Sequence, residues 1–181
     1  QAGRGGLGTI FRNKHIRALV VKFKGVKGNL NNPADVATIN RIGVKMHKQI
    51  HDLDDKQNGM RKIGTANTVM IMNQYDLLPT RNFQTGGDPE AYRIAPEVFV
   101  NEFLTQGIHD GCWYGCTISC SKAADNFKLR TGPYAGQCVT VDGPEYENAA
   151  GLGANLGCFD PRHVLEANFY CDTYGLDIIS T

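Results

Sequence analysis

Three cysteines recur at four-residue intervals in Gly111-Cys112-Trp113-Tyr114-Gly115-Cys116-Thr117-Ile118-Ser119-Cys120. Three soft thiolates this close in sequence can fold around one iron–sulfur cluster, with Gly111 and Gly115 letting the backbone approach the sulfides. A single chain normally supplies a fourth ligand, and by count alone Cys138, Cys158 and Cys171 are the candidates. The competing reading is three buried cysteines on one helix face, because a four-residue spacing repeats a face and cysteine is often buried. On spacing, cluster ligation is the stronger of the two. A disulfide framework is disfavoured because the rest of the chain does not read as secreted. The spacing is near, but not the same as, the C-x3-C-x2-C of radical enzymes that bind S-adenosylmethionine.

Carboxylates form the second group. Asp142-Gly143-Pro144-Glu145-Tyr146-Glu147 places acids beside a rigid turn, followed by Gly151-Leu152-Gly153-Ala154-Asn155-Leu156-Gly157. A carboxylate in a glycine-lined cavity has a raised pKa and can act as general acid or base. By composition, however, Glu145 and Glu147 read first as solvated turn residues. In Asp172-Thr173-Tyr174-Gly175-Leu176-Asp177, Asp172 falls in the last turn of an expected helix, where the dipole disfavours an anion. A left-handed Gly175 would reverse the chain and bring Asp177 near Asp172, offering two acceptors to the amine and amide donors of a heterocycle. A plain helix cap with two surface acids explains the same residues equally well.

The opening run Gly3-Arg4-Gly5-Gly6-Leu7-Gly8 falls at an expected helix start, where backbone N–H groups and Arg4 form a phosphate cradle. Without a preceding strand it is neither a Walker loop nor a complete dinucleotide fingerprint. The histidines His15, His47, His51, His109 and His163 make no obvious ligand set, and His47 and His51 belong to the polar side of a helix.

These groups need elements to hold them. The glycine turn leads into a short helix over 9–17, and the apolar, β-branched run 16–23 reads as a strand. Asn32 as cap and Pro33 at the first position open an amphipathic helix over 33–57, with Val36, Ile39, Ile42, Met46, Ile50 and Leu53 on one face. A second, more buried helix is expected over 65–75, a loop over 77–89 and a third helix over 96–106. Residues 107–159, with little periodicity, read as mostly loop, a length that usually marks function. Asp160 and Pro161 open a last helix with Val164, Ala167, Cys171 and Tyr174 along its stripe and Gly175 at its end.

Composition sets the outer bounds. The 181 residues are 41% hydrophobic and 20% charged, which excludes collagen-like, coiled-coil and wholly disordered chains. That length buries a core without staples and suits one domain, or one plus part of another. A formal charge of +1 gives no whole-molecule field toward nucleic acid or a membrane surface. Apolar runs such as 18–21 and 69–72 are too short to span a bilayer, and no charged-then-apolar leader precedes them, so the expected location is cytoplasmic. The chain begins at Gln1 without methionine and stops just after a motif, which reads as an internal fragment.

Taken in order, the motifs resemble the aldehyde:ferredoxin oxidoreductase family of tungsten enzymes. The matching stretches are AGRGGLG at 2–8, RNFQTG at 81–86, the cysteine run, GPEYE at 143–147, GLGANLG at 151–157 and EANFYCDTYGLD at 166–177. The resemblance implies a mainly α fold: 1–28 as the C-terminal end of a β-rich, cofactor-cradling domain, and 29–181 as a helical domain with the cluster cysteines and first pterin motif. It implies tungsten or molybdenum held by two pterins beside a [4Fe-4S] cluster, with Cys112, Cys116 and Cys120 as the first three cluster ligands and the fourth beyond Thr181. Asp172, Gly175, Leu176 and Asp177 match the first D-x-x-G-L-D pterin motif. Ala2, Gly3, Arg4, Gly5 and Gly6 match the loop near the pterin phosphates, where the Ala2 carbonyl helps hold a magnesium ion.

Glu147 matches the carboxylate beside the metal, with proton transfer as its implied role while a hydrated aldehyde becomes a carboxylic acid. The implied electron acceptor is ferredoxin or a ferredoxin-like subunit, and a homo-oligomer is left open. Two further readings stay in view: a related aromatic acyl-coenzyme A reductase subunit, and a non-catalytic iron–sulfur electron-transfer subunit. The common family spacing is C-x2-C-x3-C, so the extra residue between Cys112 and Cys116 places this chain in a divergent branch.

Overall fold

The structure, a computed structural model, describes residues 3–22, 34–55, 57–104, 111–112 and 115–179. It is mainly α, with one two-stranded sheet among the described residues. Left-handed Gly5 and Gly6 turn the chain into α1 (Leu7–Asn13). The expected strand does not form: 16–22 have no regular secondary structure, and Leu19 and Val20 are 77% and 85% exposed. A β-branched run becomes a strand only against a partner, and none of the described residues pairs with it. Phe23, like the cap proposed at Asn32 and Pro33, lies outside the described residues.

The amphipathic helix is shorter than its pattern. α2 (Val36–His51) is capped by Asp35, whose carboxylate accepts from the Thr38 N–H at 2.9 Å, and it stops at Asp52. Of its apolar positions, Val36, Ile39, Ile42 and Met46 stay exposed and Ile50 is half-buried. After α3 (Gly59–Ile63), Gly64 adopts φ 76° and reverses the chain. The expected helix over 65–75 divides there into a 3-10 turn, Thr65–Asn67, and α4 (Thr68–Gln74), with Ala66 and Val69 buried. A 3-10 turn at Pro89–Ile94 precedes α5 (Pro96–Glu102), which ends short of the expected position 106.

The stretch 107–159 is irregular over most of its described residues, as its weak periodicity predicts, but it holds short elements that the sequence left unmarked. This stretch contains β1 (Ala123–Lys128) and β2 (Cys138–Asp142), paired antiparallel with an irregularity between Ala124 and Phe127. It also contains the single turn α6 (Tyr146–Asn148), a π-helical turn at Ala149–Gly153 and a 3-10 turn at Ala154–Leu156. The irregular register erases strand alternation, and small residues make short turns that carry no helical period.

α7 (Pro161–Tyr174) follows its end signals: the Asp160 carboxylate accepts from Arg162 N–H at 2.8 Å, and Gly175 closes the helix at φ 73°. It packs on the π-helical turn and β2, burying Val164, Leu165 and Cys171. Glu166 and Asn168 are buried as well, so the helix face is broader and more polar than the stripe from Val164 to Tyr174. The main core joins Val69, Leu78, Ile94, Phe99, Leu129 and Val141 to α7.

Candidate active site

The end of α7 and the opening glycine loop meet backbone to backbone. A Cβ on Gly8 would lie 2.7 Å from Gly175 Cα, and one on Gly175 would lie 2.4 Å from the Gly8 carbonyl carbon, so neither position has room for a side chain. Gly175 also reverses the chain: Leu176 N–H donates to the Cys171 carbonyl at 2.8 Å. The reversal directs Asp177, only 5% exposed, at the glycine loop. Its Oδ2 accepts from Gly5 N–H at 2.6 Å and its Oδ1 from Ile179 N–H at 3.0 Å.

Asp172 borders two cavities. One, of about 470 Å³, is also lined by Gly8, Arg12, His15, Arg17 and Gly175. The other, of about 310 Å³, is also lined by Gly3, Glu145 and Glu147. Three separate sequence motifs therefore share one cavity wall. The Arg12 guanidinium stacks over Tyr174 at 4.7 Å and ties α1 to α7. Leu176 is at the exposed limit of this turn and Arg4 faces solvent. Ala2 lies outside the described residues.

The glutamates take different places. Glu145 caps α6: its N–H donates to Asn148 Oδ1 at 2.7 Å while its carboxylate accepts from the Asn148 backbone. Its Oε2 also accepts from the Thr65 hydroxyl, which in turn accepts from Tyr146 N–H at 2.9 Å. Asn148 Nδ2 donates to Asn168 Oδ1 at 3.0 Å, and Asn168 Nδ2 to the Asp142 carbonyl at 2.6 Å, anchoring the motif to α7. Burial pushes the Glu145 carboxyl above its ordinary range; Glu147 and Asp142 add to that, against the Thr65 hydrogen bond and Lys122. Glu147 is exposed on the outer side of the turn, facing the smaller cavity.

The cysteine segment is a loop, not a helix, among its described residues, which removes the helix-face reading. Its thiols are free; Cys112 is exposed and Cys116 and Cys120 are partly covered. Arg61 Nη2 donates to the Thr117 carbonyl at 2.6 Å, the Ser119 hydroxyl to the Cys116 carbonyl at 2.8 Å, and His47 Nδ1 meets Thr117 Oγ1. Burial pushes the Cys120 thiol up, and Glu145 and Cys116 act the same way. Among the described residues no three His, Cys, Asp or Glu side chains converge on one ion. A cubane takes one thiolate per iron, so its cysteines stand farther apart than the ligands of a single ion. Cys138 opens β2, Cys158 follows the last 3-10 turn, and Cys171 is buried with Leu152 and Ile178.

Sequence reasoning missed Thr65, Asn148, Asn168, Arg61 and Lys122. Asn148 alone had a local signal, three residues after the capping glutamate. Lys122 is 7% exposed, and its ammonium donates to the Ser121 carbonyl at 3.1 Å and the Ser119 carbonyl at 3.4 Å.

The glycine loop, the acidic turn and the end of α7 thus meet at one cavity, and the comparisons supply the class: the chain belongs to the aldehyde ferredoxin oxidoreductase family of oxidoreductases. Residues 41–181 match the family model described as "Aldehyde ferredoxin oxidoreductase, domains 2 & 3". The chain is 34% identical to the tungsten-containing aldehyde ferredoxin oxidoreductase of Pyrococcus furiosus and 36% identical to that of Thermococcus kodakarensis, over 99% of its own length in each case. It is 29% identical to an aliphatic sulfonate oxidoreductase, WOR-like subunit, of Pyrococcus furiosus. The chain spans 27% of the length of these relatives.

The residues present suit the family's groups. Free thiols on a loop with positive φ at Gly115 and Ser119 are the donor chemistry of an iron–sulfur cluster. A carboxylate between two cavities, one of them bordered by Arg12, His15 and Arg17, suits a heterocycle carrying an anionic tail.

Proposed function

We propose that the chain forms part of a pterin-bound tungsten or molybdenum, iron–sulfur oxidoreductase that converts an aldehyde to a carboxylic acid and delivers electrons to ferredoxin or a ferredoxin-like subunit. The observation that carries this reading is the shared cavity, where Gly3, Glu147 and Asp172 meet although they come from motifs far apart in the chain. When bound, the metal–pterin centre would supply two-electron chemistry and the cluster would pass electrons singly. The protein's part is binding and proton handling. Asp172 would accept from the amine and amide N–H groups of a pterin, with Gly175 and Leu176 shaping the turn beside it. Asp177 would hold the glycine loop in register through Gly5. Cys112, Cys116 and Cys120 would hold the cluster. Glu147, exposed at the cavity, would take the proton released as the hydrated aldehyde loses its hydrogen. Ala2 would contribute its carbonyl to a magnesium ion, and 1–28 would belong with a preceding β-rich domain.

The cavity's charge supports an aldehyde over an anionic substrate. Asp142, Glu145, Glu147 and Asp172 border it, and among the described residues no lysine or arginine does. A sulfonate would meet like charge there, whereas an aldehyde hydrate is neutral. No helix among the described residues is long and apolar enough to cross a membrane; the proposed setting is the cytoplasm.

Elemental analysis of the anaerobically purified holoprotein tests the cofactor assignment. Tungsten or molybdenum with about four irons per chain is expected; iron alone would indicate an electron carrier, and no metal would return the cysteines to a structural role. Glu147→Gln should abolish aldehyde turnover with metals retained, and undiminished oxidation would remove Glu147 from its role.

A further inference from the structure

One short segment links the cysteine loop to the acidic turn. Arg61 holds the Thr117 carbonyl, and Thr65, four residues on, holds the Glu145 carboxylate. Between them Gly64 is the point of closest passage: a Cβ there would lie 3.0 Å from Lys122 Cγ and 3.3 Å from the Cys120 carbonyl. The glycine, already at φ 76°, lets the stem of Lys122 and the backbone of Cys120 cross the same spot. Lys122 then runs inward rather than out to solvent.

Burying an ammonium is costly unless something recovers the lost hydration. Here the ammonium donates to the carbonyls of Ser119 and Ser121, within the stretch that leads out of the cysteine loop. Carbonyl dipoles solvate the cation but leave its net charge uncancelled. Its two acceptors flank Cys120 in sequence, so the charge lies beside that residue's backbone; burial pushes the Lys122 pKa down, and Cys120 and Glu145 oppose that by favouring the charged form. A lysine whose only task was to fill space beside Gly64 would be replaceable by a methionine, which needs no partners. An ammonium held in low dielectric beside a cluster ligand acts on the cluster at a strength it would not have in water.

We propose that Lys122 is a positioning residue for electron transfer, a fixed positive charge held beside Cys120 by the carbonyls on either side of it, that raises the reduction potential of the cluster held by Cys112, Cys116 and Cys120. Reduction adds one electron and one negative charge to the cluster, so a nearby cation favours the reduced form. The segment Arg61–Thr65 keeps the two loops at a fixed separation, and Lys122 gives that separation an electrostatic consequence. The inference rests on the cluster assignment above.

The experiment is a redox titration of the anaerobically purified holoprotein, reading the reduced cluster by electron paramagnetic resonance at fixed solution poise, alongside iron content. Lys122→Met should lower the ratio of reduced to oxidised cluster on the order of tenfold at the wild-type midpoint, with iron unchanged. Lys122→Gln should do the same, and Lys122→Arg should restore the wild-type ratio because its charge is retained. An unchanged ratio in Lys122→Met with full iron would overturn the proposal while leaving the cluster assignment standing. Loss of iron in both neutral variants would overturn it in favour of a purely structural lysine. A wild-type protein without iron would remove the cluster assignment itself, and this proposal with it.

Discussion

Replacing Gly175 by alanine tests whether the glycine loop and the last helix meet as closely as described. Two costs combine at this position. An L-residue at φ 73° pays roughly 1–2 kcal/mol for the left-handed backbone. The new methyl would also lie 2.4 Å from the Gly8 carbonyl carbon and 2.7 Å from its oxygen, so backbone must move, which adds about 1–3 kcal/mol. Gly136 separates the two costs, because it has φ 85° and an added methyl there would meet nothing within 4 Å. Gly136→Ala should therefore cost the backbone part alone, and Gly175→Ala about 1–3 kcal/mol more. Urea unfolding of the purified holoprotein, with both variants at equal cofactor occupancy or both stripped, reads the difference directly. Pterin content should fall in Gly175→Ala and not in Gly136→Ala, because the shift separates Gly5 from Asp177. Equal destabilisation and equal pterin content in the two variants would refute the close approach and the loop anchoring derived from it.

Two further outcomes follow from buried carboxylates. Glu166 accepts from Arg130 N–H at 2.9 Å, Arg130 Nε at 3.1 Å, Thr131 N–H at 2.6 Å and the Thr131 hydroxyl at 2.8 Å, so Glu166→Ala strands several donors and should destabilise by about 3–5 kcal/mol in chemical denaturation; a loss below about 1 kcal/mol would show the network to be dispensable. Glu145 has a folded-state pKa above its ordinary 4.5, chiefly from burial, so the folded protein holds that proton more firmly than the unfolded chain and stability falls as pH rises from 4.5 through the raised value. Glu145→Gln, which still accepts from Thr65, should flatten that slope, and an unaltered pH–stability curve would contradict the assignment.

What the sequence made legible was what neighbouring residues decide. α7 shows both of its ends in order, with Asp160 accepting from Arg162, Pro161 in the first turn and Gly175 closing the helix, because caps are local chemistry. Its interior was less legible: the buried places of Glu166 and Asn168 depend on Arg130, Thr131 and Asp142, more than twenty residues away in sequence. The run 16–22 shows the reverse error, in which β propensity was present but the pairing strand was not. The hairpin of β1 and β2 escaped because its register breaks between Ala124 and Phe127, where alternation would have been read. For the site, motif residues were visible as chemistry, but their supports were not. Thr65 stands 80 positions from Glu145, and no local pattern marks a threonine as the partner of a distant acid.

Apart from the side-chain pairs Thr65–Glu145 and Asn148–Asn168, the supports share a physical character that explains this asymmetry. Asp177 holds Gly5 N–H and Ile179 N–H, Arg61 holds the Thr117 carbonyl, Asn168 holds the Asp142 carbonyl, and Lys122 holds two serine carbonyls. In each pair a side chain grips backbone, and the gripped residue's own side chain is immaterial to the bond. Backbone groups are available for this only where helices and strands leave them unpaired, at caps, turns and loops. A site assembled this way depends on the φ and ψ of a few turns, foremost Gly64 and Gly175, more than on which residues occupy the helix faces. The acidic turn and glycine loop are thus set against the end of α7 mainly through backbone, leaving cavities of about 310 and 470 Å³ beside Asp172. Cofactor-sized space beside fixed carboxylates is the consequence of that construction, and it is the reason the aldehyde oxidoreductase reading rests on turns rather than on the core.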